Sequence, residues 1–208
     1  MNTPLPIIAH VSRIVTRAVD LVTGDRSDYP LLVAGACSKA LGFFGIESHV
    51  LYGHAAWIEV LENHRVIWAQ SSEDAPHFWV QSEFKETIDL NMSVAYRRKT
   101  KTASRAKAVS SPPLLWTDEV PQFCHFHIEG AAEIAPSEER DQRWWNRIIE
   151  EVEKQCQGKT LASLEQTELD FPNEPMICPE RKLLDDTEES FKHFDRALSV
   201  TGIPEAPF

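Results

Sequence analysis

The stretch IESHVLYGHAAWIEVLENHRVIWAQSSEDAPHFWVQSEFKETIDL, residues 46–90, decides the fold of this chain. It divides into short runs rich in aromatic and β-branched residues, which are typical of strands. The runs are IESHVLYG, HAAWIEVL, RVIWAQ, HFWVQ and ETIDL, and alternation is clearest where Trp57 and Glu59 flank Ile58. The intervening segments are too short for a crossover helix. We therefore expect consecutive antiparallel strands of one meander.

Two helical patterns precede these strands. Apolar residues recur at helical spacing over residues 6–23, and Gly24 ends that segment. The next run, LLVAGACSKALGFFG at residues 31–45, predicts a second helix that ends at GFFG. Helices followed by an antiparallel sheet indicate an α+β fold, with N-terminal helices packed on the sheet, rather than a doubly wound one.

The pattern weakens after residue 91. SSPPLLW carries a Pro pair and predicts irregular structure, whereas VPQFCHFHIEG is a candidate further strand. Residues 137–157 begin with a capping-box-like pattern at Ser137 and predict an amphipathic helix. The tail FPNEPMICPE predicts an extended segment, and DDTEESFKHFDRAL predicts a short terminal helix.

These patterns predict one domain over residues 1–208. Its core would occupy about residues 6–92, and residues 93–208 would be a helical and irregular elaboration with an extended C-terminal tail. The hydrophobic content of 42% is sufficient for a core. The sequence does not indicate an oligomeric state.

Charge argues against nucleic acid as a partner. The formal net charge is −11, whereas phosphate contacts need a basic face. The exception is RRKTKTASRAK, residues 97–107, in which six of eleven residues are basic. No aromatic residue interleaves there for base stacking, so we interpret this run as a solvated loop.

The cysteines and the N-terminus predict a cytoplasmic location without a membrane partner. Cys37, Cys124, Cys156 and Cys178 are widely separated and form no zinc-like cluster, which favours thiols in a reducing compartment. We see no secretory signal pattern and no apolar run long enough to cross a bilayer. No dinucleotide fingerprint or P-loop is present, so we expect no cofactor.

Cys37, His77 and Asp89 form a candidate nucleophile site in the order nucleophile, base, orienting carboxylate. A thiol becomes a strong nucleophile as a thiolate, and a helix N-terminus or an imidazole lowers its pKa. We expect Cys37 in the first turn of the second helix, where its own N–H would also serve as an oxyanion donor. The alternative is a buried, inert cysteine on a core helix.

His77 and Asp89 lie about level across a hairpin that turns at SEFK, so a direct pair is feasible. A carboxylate on one ring nitrogen fixes the tautomer and leaves the other nitrogen to face the thiol. The alternatives are a surface histidine after a Pro turn and a polar residue at a strand end.

Together these residues carry a resemblance. A Cys at a helix start, then H-x-W at His77 and Trp79, then I-D-L around Asp89 resembles the papain-like (cysteine proteinase) superfamily in its transglutaminase-like arrangement. That group includes bacterial transglutaminase-like proteins, arylamine acetyltransferases and small papain-fold families. The resemblance covers roughly residues 29–91.

The resemblance implies a papain-like fold and a role for each residue of the series. Cys37 would be the nucleophile, His77 the general base and Asp89 the residue that orients His77. The implied reaction is acyl transfer, or amide or thioester hydrolysis, through an acyl-thioenzyme. A small molecule or a peptide would be the acyl substrate.

His54 is a rival for the histidine of the site, because GHAAWIEV resembles the same strand motif. The strand after it supplies only Gln70, followed by Glu73 and Asp74, and none of these lies at the matching distance. His77 therefore has the better partner. His54 remains a candidate for the substrate cleft.

Tyr29 and Trp79 are the other cleft candidates. No Gln precedes Cys37, so the upstream oxyanion Gln of papain-style proteases is absent. Tyr29 is the nearest replacement, although a role in the turn explains it more simply. This departure supports a second hypothesis, a non-catalytic papain-fold binding module with a vestigial triad.

Two other clusters favour structural roles. His125 and His127 share one strand face, but no further ligands stand at recognisable spacing, so we expect no metal site. Trp144 and Trp145 are most simply a packing anchor for the second half of the chain.

Overall fold

A computed structural model of the chain describes residues 2–71, 75–97, 107–134, 138–179 and 189–207, with the backbone alone for 189–193. The α-helices are α1 (Leu5–Thr23), α2 (Pro30–Phe43), α3 (Glu139–Cys156), α4 (Leu161–Leu164) and α5 (Glu189–Thr201). The strands are β1 (Ser48–Leu61), β2 (Val66–Gln70), β3 (His77–Ser82), β4 (Thr87–Asp89), β5 (Ala108–Ser110), β6 (Leu114–Thr117), β7 (Cys124–Ala131) and β8 (Met176–Ile177). Two 3₁₀ helices span Arg26–Asp28 and Met92–Arg97. The predicted α+β class is confirmed.

The first two helices begin and end where their sequences indicate. Each has a proline in its first turn, where the missing N–H removes no helical hydrogen bond. Gly24 ends α1 with a φ of 85°, a left-handed conformation that glycine adopts without strain. The apolar face of α1 is buried, as the periodicity predicts, whereas α2 is buried at every position from Leu32 to Cys37.

Strand β1 corrects the prediction of two separate strands at residues 46–61. IESHVLYG and HAAWIEVL join in one strand of 14 residues that passes through Gly53. A Cβ on Gly53 would lie 2.1 Å from the carbonyl oxygen of His127 in β7. This glycine therefore permits the close approach of a neighbouring strand and does not mark a turn.

The meander prediction is correct for the β1–β2 and β3–β4 hairpins and wrong for β2 and β3, which do not pair with each other. Residues 51–53 of β1 pair with both β3 and β7, and residues 56–57 pair with both β2 and β7. Since one strand has two edges, β2 and β3 lie in succession along the edge opposite β7. They therefore share β1 as partner instead of pairing with each other.

The second half of the chain completes the same sheet. Strand β6 pairs antiparallel with β4, and β8 pairs parallel with β6, so the sheet is mixed. The prediction of irregular structure for SSPPLLW is wrong at residues 114–116, which belong to the fully buried strand β6. The predicted strand in VPQFCHFHIEG is confirmed as β7.

Helix α3 lies within the segment predicted to be helical, residues 137–157, and α5 overlaps the predicted terminal helix, residues 185–198, and continues to Thr201. Ser137, Glu73 and Asp74 lie outside the described residues, as does most of the basic run, residues 98–106. Within the described ranges, no helix is both long and apolar enough to cross a membrane.

The two faces of the sheet differ because successive side chains of a strand alternate. On one face, Val80 and Ile88 lie opposite each other and pack into the core that includes α1, α2 and α3. On the other face, Trp57, Leu115 and Met92 belong to a smaller core. This separation determines which predicted site residues can meet.

Gly53→Ala should destabilise the protein strongly, because the new methyl would overlap a backbone atom that cannot move independently. We expect a loss of about 2–4 kcal/mol in the free energy of unfolding. The matched control is Gly42→Ala, since Gly42 lies in α2 and a Cβ there meets nothing within 4 Å. That change should stabilise the protein by up to about 1 kcal/mol. Urea unfolding measures both, and similar values for the two variants would contradict the account.

Candidate functional site

The structure brings His77 and Asp89 together. His77 opens β3 and Asp89 closes β4, and the register Val80↔Ile88 makes them diagonal neighbours across the two strands. His77 Nε2 donates a hydrogen bond to Asp89 Oδ2 at 2.6 Å. The exposed fractions are 0% for His77 and 1% for Asp89. The predicted contact is therefore present, and it is completely enclosed.

The second carboxylate oxygen of Asp89 is bound by the backbone. Oδ1 accepts hydrogen bonds from the N–H groups of Asn91, at 2.8 Å, and Met92, at 3.0 Å. These groups stand at the start of the 3₁₀ helix Met92–Arg97, where N–H groups lack helical partners. Asp89 therefore joins β3, β4 and the following turn.

Aromatic rings surround the imidazole of His77. Its ring centroid lies 5.7 Å from that of Trp57, 6.3 Å from that of Trp79 and 6.4 Å from that of Phe126. Trp79, a predicted cleft residue, is stacked on His77 but is 2% exposed. We call this enclosed group of rings around His77 and Asp89 the histidine compartment. It resembles a core more than an open cleft.

Cys37 does not lie in the first turn of its helix, so that prediction is wrong. Helix α2 begins at Pro30, seven residues earlier, because the proline and not the small residues near Gly35 sets its start. In a regular α-helix the N–H of Cys37 bonds to the carbonyl four residues before it, so it is not an oxyanion donor. The N-terminal partial charge also falls off within one turn.

Burial makes the Cys37 thiol resistant to ionisation. Its exposed fraction is 1%. Desolvation, and secondarily the negative charge of Asp89, raise the pKa of Cys37 far above the ordinary thiol value. The group is therefore a neutral thiol at physiological pH. This environment is the opposite of the one that activates a cysteine nucleophile.

Cys37 and the histidine compartment belong to opposite faces of the sheet. Cys37 shares the helix-side core with Val80 and Ile88. Alternation along β3 and β4 then directs His77 and Asp89 to the other face. The structure thus brings two members of the predicted triad into direct contact and assigns the third to the helix-side core, where burial and, secondarily, the charge of Asp89 raise its pKa.

His54 has a carboxylate partner that sequence reasoning missed. His54 Nε2 lies 3.0 Å from Oε1 of Glu129, and its ring stacks on that of His127 with centroids 6.4 Å apart. The side chains of His54 and Glu129 are 33% and 42% exposed. His54 is also one residue away from Gly53, the register partner of His77, so it faces the opposite side of the sheet. It does not line the histidine compartment.

Tyr29 belongs to the helix layer. It is the N-cap residue of α2, and its ring meets that of Trp144 edge to face with centroids 5.1 Å apart. Trp145 approaches the same helix, since a Cβ on Gly35 would lie 2.9 Å from its ring. The predicted packing role of this Trp pair is confirmed. Tyr29 is therefore a packing residue and not an oxyanion donor near His77.

Cys124 is the thiol that sequence reasoning did not connect with His77. It lies opposite Trp57 in the β1–β7 register and is 2% exposed. Burial, with a smaller contribution from the charge of Asp89, raises its pKa well above the ordinary value. It shares a sheet face with the histidine compartment. The sequence carried no signal for this, because Cys124 stands on a strand and not at a helix start.

Metal ligation has no support in the described part of the chain. No group of three or more His, Cys, Asp or Glu side chains there is placed to hold a metal ion. His125 packs against Trp68 with ring centroids 5.2 Å apart. All four cysteines are buried thiols that form no disulfide.

Comparisons with models of protein families, with curated proteins and with solved structures find no match for this chain. Its function has to follow from the chemistry of its own residues. Fold class alone does not supply one.

Loss of the His77 imidazole should reduce stability, because it removes the donor that pairs with Oδ2 of the buried Asp89 carboxylate. We expect His77→Ala to lower the free energy of unfolding by about 3–5 kcal/mol. The control is His54→Ala, which removes a partly exposed pair and should cost no more than about 1 kcal/mol. Urea unfolding of both variants measures the difference. Equal, small losses would mean that the His77–Asp89 pair does not hold the fold.

Stability should decrease at alkaline pH. The folded state holds the Cys37 proton more tightly than the unfolded state, in which a thiol has a pKa of about 8.5. The protonated thiol therefore contributes fully to the free energy of unfolding below that pH. Above it, the free energy of unfolding falls by about 1.4 kcal/mol per pH unit for each such thiol. Cys124 and Cys156 act in the same direction. Urea unfolding at a series of alkaline pH values, under reducing conditions, measures this loss. Cys37→Ala should reduce the decrease in unfolding free energy per pH unit by the share of one thiol, and an unchanged pH dependence would contradict the account.

Proposed function

We propose that this protein is a non-catalytic binding module in which the His77–Asp89 pair is structural. The observation that carries the proposal is the enclosure of the three candidate catalytic residues. Cys37 and Asp89 are each 1% exposed and His77 is 0% exposed. A nucleophile has to touch its substrate, and a general base has to lie within hydrogen-bond reach of the proton it removes. Neither condition is met by groups closed off from solvent.

The environment of the pair supports a structural role. Buried polar groups are costly unless they are hydrogen-bonded, and Asp89 has bonds on both oxygens. These bonds link two strands and the turn that follows them. Aromatic rings fill the space that a substrate would need.

For the α+β fold we propose the papain-like arrangement of the transglutaminase-like type. A helix that carries the cysteine precedes the sheet, and His77 and Asp89 stand on adjacent antiparallel strands in the expected order. The position of Cys37 two turns into α2 departs from that arrangement. We also propose a cytoplasmic location, because four buried thiols without a disulfide suit a reducing compartment.

A second candidate function is a cysteine-dependent acyl transferase, or an amide or thioester hydrolase, acting on a small-molecule or peptide acyl substrate. The 2.6 Å bond between His77 and Asp89 favours it, since it would orient a base. Cys37 Sγ would attack the acyl carbonyl, and His77 would return the proton to the leaving group. Water or an acceptor would then release the acyl group. This candidate requires an opening of the fold that admits the acyl substrate to these enclosed groups.

Labelling of native protein with iodoacetamide separates the two functions. Peptide mapping by mass spectrometry would follow Cys37 from mildly acidic to mildly alkaline pH, with the urea-unfolded chain as the free-thiol reference. For a binding module we expect Cys37 to react far more slowly than in the unfolded chain. His77→Ala should then accelerate labelling, because it favours opening of the fold.

The opposite pattern would overturn the binding module. If Cys37 reacts faster in the native protein than in the unfolded chain, and His77→Ala abolishes the difference, the thiol is activated by the imidazole. Cys156 serves as an internal control, since burial raises its pKa to about 11 and no imidazole role is proposed for it.

A further inference from the structure

A buried arginine joins the first half of the chain to the C-terminal segment. Arg26 is 1% exposed, and its Nε donates to the carbonyl oxygen of Leu90 at 3.1 Å. Its Nη1 pairs with Asp20 Oδ2 at 2.5 Å, and its Nη2 pairs with Oε2 of Glu174. Ser93 Oγ donates to the same oxygen of Glu174. Arg26 therefore fixes the Glu174 carboxylate in place.

A cavity of about 210 Å³ lies beside this cluster. The 3₁₀ helix Met92–Arg97, residues 110–113 and residues 173–175 line it. Its polar lining consists chiefly of Ser93, Tyr96, Arg97, Ser111, Asn173 and Glu174. Prolines supply much of the remaining wall. No residue of the histidine compartment lines the cavity, so this site is independent of the roles proposed for Cys37 and His77.

Two opposite charges line the cavity without meeting. Arg97 Nε donates to Tyr96 Oη at 3.2 Å, and the guanidinium lies 5.4 Å from the centre of that ring. Among the described residues its Nη groups have no acceptor, and Oε1 of Glu174 has no donor. These two side chains form no ion pair within 4.0 Å of each other. A donor fork and a carboxylate oxygen therefore remain for a ligand.

We propose that this cavity binds a small zwitterion such as a free amino acid. The ligand carboxylate pairs with the Nη groups of Arg97, and the ligand ammonium donates to Oε1 of Glu174. A guanidinium fork suits a carboxylate, and a carboxylate oxygen suits an ammonium. A simple anion or cation would leave one of the two protein charges unmatched.

The size and the remaining lining fit the same ligand class. A cavity of about 210 Å³ is smaller than the range of drug-sized sites and suits a molecule of about ten heavy atoms. Ser111 accepts a hydrogen bond from the N–H of Tyr96 at 2.9 Å, so its hydroxyl proton remains to be donated. Asn173 is exposed and adds an amide at the rim.

Calorimetric titration of the full-length chain with each standard protein amino acid tests the proposal. We expect at least one to bind with a dissociation constant between about 10 μM and about 1 mM. Its N-acetyl and its amide derivatives remove one charge each, and both should bind at least about tenfold more weakly. If no amino acid binds at millimolar concentration, or if both derivatives bind as well as the parent, the proposal is wrong.

Substitution of Arg97 locates the site. Arg97→Gln should weaken binding of the parent amino acid about tenfold or more, yet leave the amide derivative unaffected, because that derivative has lost the group that Arg97 binds. The control is Arg147→Gln, an exposed position on α3 outside the cavity. Equal binding by both variants would overturn the assignment. Glu174 is left intact, since it also partners Arg26 in the folded protein.

Discussion

The carboxylate of Asp89 is the constraint on which the centre of the sheet depends. One oxygen accepts from His77 on the neighbouring strand, and the other accepts from two backbone N–H groups at the next turn. A charge with 1% exposure is stable only when donors surround it, so these partners have to be present together. Burial, reinforced by the same negative charge, raises the pKa of both Cys37 and Cys124. The interaction that holds the strands thus also helps to keep the nearby thiols protonated.

Alternation of side chains across the sheet explains why an ordered Cys–His–Asp series does not by itself make a site. Two residues on adjacent strands meet whenever they share a face, and His77 and Asp89 do. A residue of the helix layer meets only the face that its helix covers. Cys37 belongs to the same core cluster as Val80 and Ile88, whose side chains point to the sheet face opposite the His77–Asp89 pair. A buried hydrogen bond of this kind is consistent with a structural role as well as a catalytic one.

The features predicted from sequence are those governed by neighbours along the chain. The first two helices, the β3–β4 hairpin and the contact between His77 and Asp89 depend on local periodicity and on a short turn. The continuity of β1 through Gly53 depends on β7, which arrives some seventy residues later, and no local pattern records that approach. The same holds for Glu129 beside His54, and for Leu114–Thr117, which becomes a strand because β4 and β8 pair with it. The expectation that Cys37 lies in the first turn of α2 is wrong for a local reason, because Pro30, seven residues earlier, sets the start of that helix.

The histidine compartment and the cluster of Arg26, Ser93 and Glu174 differ in how much hydrogen-bonding capacity they leave for a ligand. In the histidine compartment the carboxylate has its donors and aromatic rings fill the remaining space, so a ligand would have to displace existing contacts. Beside Arg26, Oε2 of Glu174 accepts hydrogen bonds from Arg26 and Ser93, and these offset the cost of partly burying the carboxylate. Its Oε1 has no donor among the described residues. Arg97 is held by its own tyrosine neighbour in a similar half-satisfied state. Preorganised groups with unused hydrogen-bonding capacity lose little freedom when a ligand arrives, and this favours the cavity over the compartment as a place for recognition.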